Sequence, residues 1–484
     1  MKHLCIVTHL LASNLPRNSK RPRRDSLSSM NALNSLGILD DRLKGAAREI
    51  LWGSILTLAF LVGTRAAAAA PAWEAPPSHQ KQGQFWRYHW YERGLTNANP
   101  AYEGRFRVNA PEISLHPTFG HRVEPRENGM MLIKAEEDLF LLTAAEFYCE
   151  AWGGHPGTAN KRITVNGRST YPLPRVGTED GHCTYFYPAV LLKITDLVNG
   201  YDAVQFALDQ GTTFWGHMLV DNAAIRVALT NGHPDLVKLG LAEFAATVQA
   251  EPLAGKEGFA LKLDCPPEAA QIAGVDFQGW YYGYDENGNL QRQDWHGYTK
   301  HRIPVATLGV VTSAPFALAW ETRMLPAQRD LAVRAALRFK ADTNLVFLTA
   351  ATSGLAIAPR SGVEVTLFAP HDLPGHFWSR AKQLKTCHLD LDLDPARIEK
   401  AELNIVTWTG GPGNVKEYFK LNGVHYPVAE GARHELVYSR LPVNPQTLKR
   451  GLNRIELLSD TEHHGIEVIY PGPLLVVRYR ANGP

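Results

Sequence analysis

The chain has 484 residues, 45% of them hydrophobic and 20% charged, the balance of a globular protein of roughly two to four domains. Its formal net charge of +2 excludes both the basic footprint of a nucleic-acid binder and the strong positive field that would gather an acidic substrate. No HExxH, GxSxG, P-loop or dinucleotide fingerprint occurs in the context its chemistry requires, so no linear motif names an enzyme.

Residues 1–72 read as a leader. A basic stretch, Lys20–Arg24, lies in a polar region, and Met30 is an alternative start. The uncharged apolar run Ile50–Gly63 is shorter than the roughly 20 residues of a bilayer-spanning helix. An alanine run, Ala66–Ala70, follows it. Apolar core then small residues is signal-peptide order, with cleavage expected after Ala69 or Ala72. An uncleaved anchor helix is the alternative. No cysteine follows the run closely, which argues against a lipid anchor. The mature protein is therefore expected to be secreted, periplasmic or extracellular, without a membrane segment.

A Pro/Ala linker, Pro71–Ser78, leads into residues 73–123, which carry the aromatic stretch Gln84–Tyr91, QFWRYHWY. Phe85, Arg87 and His89 alternate with Trp86, Tyr88 and Trp90. This suits a strand packed on both faces, or one whose second face holds a ligand; packing is the favoured reading. His116 and His121 lack a third ligand at metal-site spacing.

Residues 124–232 carry a segment that recurs in 361–484. Ala145–Pro172 and Ala401–Pro427 align through Glu146/Glu402, Trp152/Trp408, Gly154/Gly410, Asn166/Asn422 and Gly167/Gly423. Leu197–Phe206 and Met218–Val227 also have partners, in Leu448–Leu457 and Val468–Val477. A repeat of this length is a statement about architecture. Phe147, Cys149 and Ala151 alternate with Tyr148, Glu150 and Trp152, as a half-buried antiparallel strand requires. Gly-Gly loops end these strands, and Asn166-Gly167 and Asn422-Gly423 predict tight hairpins. Short strands with closely spaced turns predict a β-sandwich or jelly roll.

The order of strand, Trp-Gly loop, hairpin at Ile163–Gly167 and the run Gly451–Leu457 resembles the galactose-binding-like β-sandwich shared by many carbohydrate-binding modules. Residues 233–360 separate the copies. Within them Val275–Phe339, including the run from Leu308 to Trp320, resembles bacterial immunoglobulin-like modules, which implies a spacer sandwich. The expected fold is all-β: two related jelly-roll or galactose-binding-like sandwiches with an immunoglobulin-like sandwich between them. Trp280, Tyr282 and Tyr284 share a strand face there, with Trp295 and His296 across a hairpin. Asp285, Asn287 and Asn289 begin like a calcium loop, but His296 stands where a bidentate Glu is needed, so an Asx turn is favoured. No cofactor is implied, and structural calcium is not assignable.

What both copies share is read as required by the fold, which makes Trp152 and Trp408 structural plugs before sugar platforms. What only the first copy carries marks where a ligand site would be added. The expected ligand-binding residues are Trp215, Tyr185, His155, Asp180, Trp152 and His182, which could offer flat aromatic faces and polar groups to a glycan. The expectation is a non-catalytic polysaccharide-binding protein. The alternatives are a polysaccharide lyase or hydrolase using His155, His182 or His217, and a structural or adhesion protein. Of 5 cysteines, Cys149 and Cys183 fall within one proposed domain. Either a disulfide between them or a buried free Cys149 thiol fits a secreted chain. Cys5 lies in the leader, and Cys265 and Cys387 sit in different modules. His463-His464 reads as an exposed loop pair.

Overall fold

Strand Gln84–Trp90 lies at the centre of the largest sheet, between His217–Leu229 on one side and Leu345–Leu348 on the other. The computed structural model describes residues 70–92, 106–109, 130–154, 158–174, 185–210, 217–266, 271–284, 293–305, 307–375, 377–380, 382–409, 419–426, 435–458, 466–469 and 472–481. The leader through residue 69 lies outside them, as do His116, His121, His155, Asp180, His182, Cys183, Trp215, the stretch 285–292 and His463-His464.

The described residues are all-β, built from antiparallel sheets of the β-sandwich class. Among them the α-helix is the five-residue Pro234–Lys238, and no helix is long and apolar enough to cross a membrane. The large sheet has 12 strands. On one side of Gln84–Trp90 it continues through His217–Leu229 to Leu142–Trp152. On the other it continues through Leu345–Leu348 to Gln328–Phe339, Ile272–Tyr281 and Asp294–His296. The aromatic stretch thus joins the first sandwich to the segment after it, across the expected boundary at 232. Two smaller sheets cover one face. One is Met130–Ala135, Gly200–Gln210, Thr158–Val165 and Ser169–Pro172. The other is Thr247–Pro252, Gly258–Asp264 and Ala317–Glu321.

The core beneath the large sheet is continuous. Phe85 meets Phe347, Phe339 and Phe244 at ring-centroid distances of 4.9, 5.6 and 5.9 Å. Burying one such side chain contributes roughly 2–3 kcal/mol. Phe147, Ile225, Phe277 and Leu337 extend the same cluster to both ends. Residues 363–480 form a second pair of sheets with its own core around Leu403, Ile405, Phe419 and Ile455. Its smaller sheet orders Lys385–Leu391, Gly451–Leu457, Lys420–Leu421 and Val424–His425. That is the order of the first small sheet, strand for strand. Val365, Val406, Leu474 and Val476 pack with Tyr148, Trp152 and Tyr187 in a cluster linking the two sandwiches.

The repeated residues have structural duties. Asn166 and Gly167 have φ of 49° and 65°, and Asn422 and Gly423 have 52° and 82°, the left-handed pair a two-residue hairpin demands. Asn166 Nδ2 donates to Asp202 Oδ1 at 2.6 Å, and Asn422 Nδ2 to Asn453 Oδ1 at 2.8 Å. Asn166 Oδ1 accepts from Ala203 N–H, and Asn422 Oδ1 from Arg454 N–H. Each asparagine therefore pins its hairpin to the neighbouring strand. Gly154 has φ of 95°, and a Cβ there would lie 2.1 Å from the His217 carbonyl oxygen, so the end of strand Leu142–Trp152 admits only glycine. Cys149, Cys265 and Cys387 are free thiols, with Cys149 fully buried in the core.

Candidate functional site

The period-two alternation of Gln84–Trp90 sends Phe85 into the core and Trp86, Tyr88 and Trp90 to the opposite face of the large sheet. The same geometry puts Asp276, Gln278 and Trp280 of Ile272–Tyr281 on that face, with Val275 and Phe277 in the core. Three chain segments rise around this floor: Ala70–Gln80, Tyr187–Ala189 and Gln293–Pro304. Together they enclose a cleft of about 1130 Å³. Its aromatic lining includes Trp73, Trp90, Tyr148, Tyr187, Trp280 and Tyr298. Tyr187 and Tyr298 stack at 3.8 Å, and Trp280 meets Trp295 edge-on at 5.6 Å across the hairpin.

Buried charges hold the walls in place. Arg334 is fully buried. It donates to the carbonyl oxygens of Ala72 and Trp73 at 3.1 and 2.7 Å, to Gln80 Oε1 at 2.7 Å and to Gln278 Oε1 at 2.8 Å. Its guanidinium lies 3.9 Å from the Trp295 ring centroid. Burial lowers this group to about 9, which leaves it charged at neutral pH. Arg226 pairs with Glu146 at 3.0 Å, both sealed from solvent. Its guanidinium sits between the Trp73 and Tyr148 rings at 4.4 and 4.5 Å. Burial opposes the Arg226 charge, but Glu146 beside it outweighs this and raises the group above its ordinary value. The Ala72 N–H also donates to Glu146.

The third wall is held by Glu150, which is itself fully buried. His301 and Arg302 have φ of 51° and 67°, and their N–H groups converge on Glu150 at 2.8 and 3.0 Å. Successive amides in this conformation form an anion-binding concavity. The Thr299 hydroxyl adds a 2.8 Å bond, and Asn222 Nδ2 a further one at 2.9 Å.

Two acids lining the cleft are held toward their neutral forms. Burial raises Glu74 to about 7, with Asp294 and Glu146 adding to the effect and the 2.8 Å bond from Ala189 N–H opposing it. Burial likewise raises Asp276 to about 7, against a 3.0 Å bond from Gln278 Nε2. Asp276 is 4% exposed, and its Oδ1 has no hydrogen bond among the described residues. A second charged cluster lies beyond the sheet's other face. There Glu137 accepts from Arg87 at 2.8 Å and contacts His233 and His89 at 3.1 and 3.2 Å. No group of three His, Cys, Asp or Glu side chains among the described residues is placed to hold a metal ion.

Two of the ligand residues expected from the sequence are among the described residues, and neither lines the cleft. Trp152 and Tyr185 are buried in the cluster that links the sandwiches. Tyr185 donates to Asp221. His217, expected for the enzymatic alternative, is buried with its ring 4.9 Å from Trp152. Trp215, His155, Asp180 and His182 lie outside the described residues. The cleft draws instead on two signals visible in the sequence, the alternating QFWRYHWY stretch and the Trp280/Trp295 pair. Nothing in the sequence showed that they share one face.

No family model and no curated protein matches the chain. Among solved structures, it is similar to a β-porphyranase of glycoside hydrolase family 86 from the human gut bacterium Bacteroides plebeius, at 10% identity and a TM-score of 0.23 over 49% of this chain and 37% of that one. A second, a wild-type GH86 protein in complex with neoagarooctaose, aligns at 9% identity and a TM-score of 0.22, over 49% and 34%. The chain thus spans about a third of the length of these structures. At such scores the likeness carries no argument about this protein.

Proposed function

We propose that the chain is a secreted carbohydrate-binding protein whose ligand, a neutral polysaccharide, lies in the cleft on the shared sheet. In this reading residues 124–232 and 361–484 are two copies of one galactose-binding-like sandwich, and 233–360 supplies half of the cleft. The observation that carries the reading is the cleft's combination of half-buried indoles at Trp280 and at Trp90, the latter under the Arg302 guanidinium at 5.2 Å, with polar groups at Asp276, Gln278 and Asp294. Sugar rings present C–H faces that stack on indoles and hydroxyls that need fixed polar partners. The charges favour a neutral glycan. Arg226 is taken up by Glu146, Arg302 by Glu92 at 3.0 Å, and Arg334 by four acceptors. Arg338 lies in the field of Asp276. A sulfated or uronic acid chain would find carboxyl groups and few available cations.

Native gels containing β-glucan, galactomannan, xylan or agarose test this, with a sulfated glycan as control. The purified protein is expected to be retarded by at least one neutral polymer, and Trp280→Ala to lose that retardation. Absence of retardation across the panel, or retardation by the sulfated glycan alone, refutes the reading and leaves the structural alternative in front.

A further inference from the structure

Strand Ile272–Tyr281 carries a polar row on the face that floors the cleft, and its geometry is set from Arg334 outward. Gln278 Oε1 accepts from Arg334 Nε at 2.8 Å, so the Gln278 amide nitrogen is turned the other way and donates to Asp276 Oδ2 at 3.0 Å. With Oδ2 taken, Oδ1 is the oxygen left over. Asp276 is buried and lines the cleft, and Oδ1 accepts no hydrogen bond among the described residues. The Thr307 hydroxyl stands beside the carboxyl group but outside hydrogen-bonding geometry with Oδ1. Arg338 lines the cleft as well. It pairs with Gly274, two residues before Asp276 on the same strand face, where a Cβ would lie 3.7 Å from Arg338 Nη2. Among the described residues the Arg338 guanidinium has no hydrogen-bond or ion-pair partner. Ala336, directly opposite Asp276, adds only a methyl group to the floor. An acceptor without a donor and a donor without an acceptor are therefore neighbours in one recess. A buried polar atom needs its partner, and a hydroxyl answers both at once, whereas an ether or ester oxygen answers only the arginine.

We propose that Asp276 and Arg338 form a subsite that selects an unsubstituted sugar hydroxyl, which donates to Asp276 Oδ1 and accepts from Arg338. The proposal rests on the neutral-polysaccharide reading above and narrows it. The glycan reaches the floor with a free hydroxyl, and one that is methylated, acetylated or sulfated at that position is rejected, because its oxygens can only accept. Trp280 stands four residues farther along the strand face, roughly 13 Å at strand spacing. The hydroxyl read here therefore belongs to a different ring of the chain from the one stacked on that indole. Gln278 is the positioning residue: tied to Arg334, it holds the carboxyl group in one orientation and keeps Oδ1 toward the cleft.

The test compares the wild type, Asp276→Asn and Arg338→Met in native gels containing a neutral polymer that retards the wild type, either unmodified or O-methylated. The gels are run at about pH 8.5, above the value of about 7 that burial gives Asp276, so that the carboxylate only accepts. In Asp276→Asn the Gln278 amide still donates and so claims the asparagine oxygen, which turns the asparagine nitrogen, a donor, into the cleft. The wild type is expected to bind the unmodified polymer at least about tenfold more tightly than the methylated one. Asp276→Asn is expected to reduce that ratio at least about fivefold, and Arg338→Met to weaken binding of the unmodified polymer about tenfold. Should Arg338→Met fail to fold, the change of ratio in Asp276→Asn decides alone. A wild type that does not discriminate, or an Asp276→Asn ratio equal to that of the wild type, means that the recess holds only water; either overturns the subsite and leaves binding in the cleft standing. No retardation of the wild type by any neutral polymer overturns the binding reading and the subsite with it.

Discussion

Replacing Arg334 by methionine removes the group that ties segment Ala70–Gln80 to the sheet. In the native structure four acceptors and the Trp295 ring surround its guanidinium. Hydrogen bonds to a charged group contribute roughly 1.5–3 kcal/mol each, and a desolvated cation–π contact about 2. Against this stands the cost of burying the charge. Its effect is the fall of the group from 12.5 to about 9, which still leaves the guanidinium charged at neutral pH. Methionine fills the volume but leaves two backbone carbonyls and two amide oxygens without their donor. The expected loss is about 3–5 kcal/mol, the range for removing one member of a buried charged set. Urea unfolding followed by tryptophan fluorescence reads it, and limited proteolysis with product mapping shows whether the 70–80 segment is released. Arg334→Lys keeps the charge but loses the planar fork, so it is expected to recover less than half the loss. A shift under about 1 kcal/mol, with the segment still protected, would refute the claim that these bonds hold the cleft wall.

Acid stability should depend on Glu137. Burial alone would raise it, but hydrogen bonds from His89 and Arg87 outweigh burial and hold it at about 2, below its ordinary 4.5. Its contribution is therefore present above pH 4.5 and is lost as pH falls toward 2; by linkage it amounts to roughly 3 kcal/mol, and Glu137→Gln should flatten that limb of a urea-midpoint profile. Asp276 has the opposite sign: its folded value is raised from 3.8 to about 7. The stability it supports below pH 3.8 is lost as pH climbs to 7, up to roughly 4 kcal/mol. Asp276→Asn should thus unfold at higher urea than the wild type above pH 7; an unchanged profile there would count against the buried acid.

Much of the local structure was legible in the sequence, because strand alternation and turn chemistry act over a few residues. Asn166-Gly167 and Asn422-Gly423 close hairpins since only residues tolerant of positive φ fit there, and the strand of Phe147, Cys149 and Ala151 buries its apolar face. The all-β class followed from such units. The large sheet did not, because strand neighbours are chosen by packing between distant segments. Gln84–Trp90 pairs with strands that begin at 217 and 345, and only that pairing makes its second face the floor of a cleft. Alternation put Glu150 on the strand face opposite Phe147, Cys149 and Ala151 and said nothing of what covers that face. Glu146 and Glu150 are both buried there, because Arg226 and the amides of His301 and Arg302 reach them from elsewhere in the chain. Alternation alone told which residues share a face; tertiary structure decided whether that face meets core, solvent or a cleft.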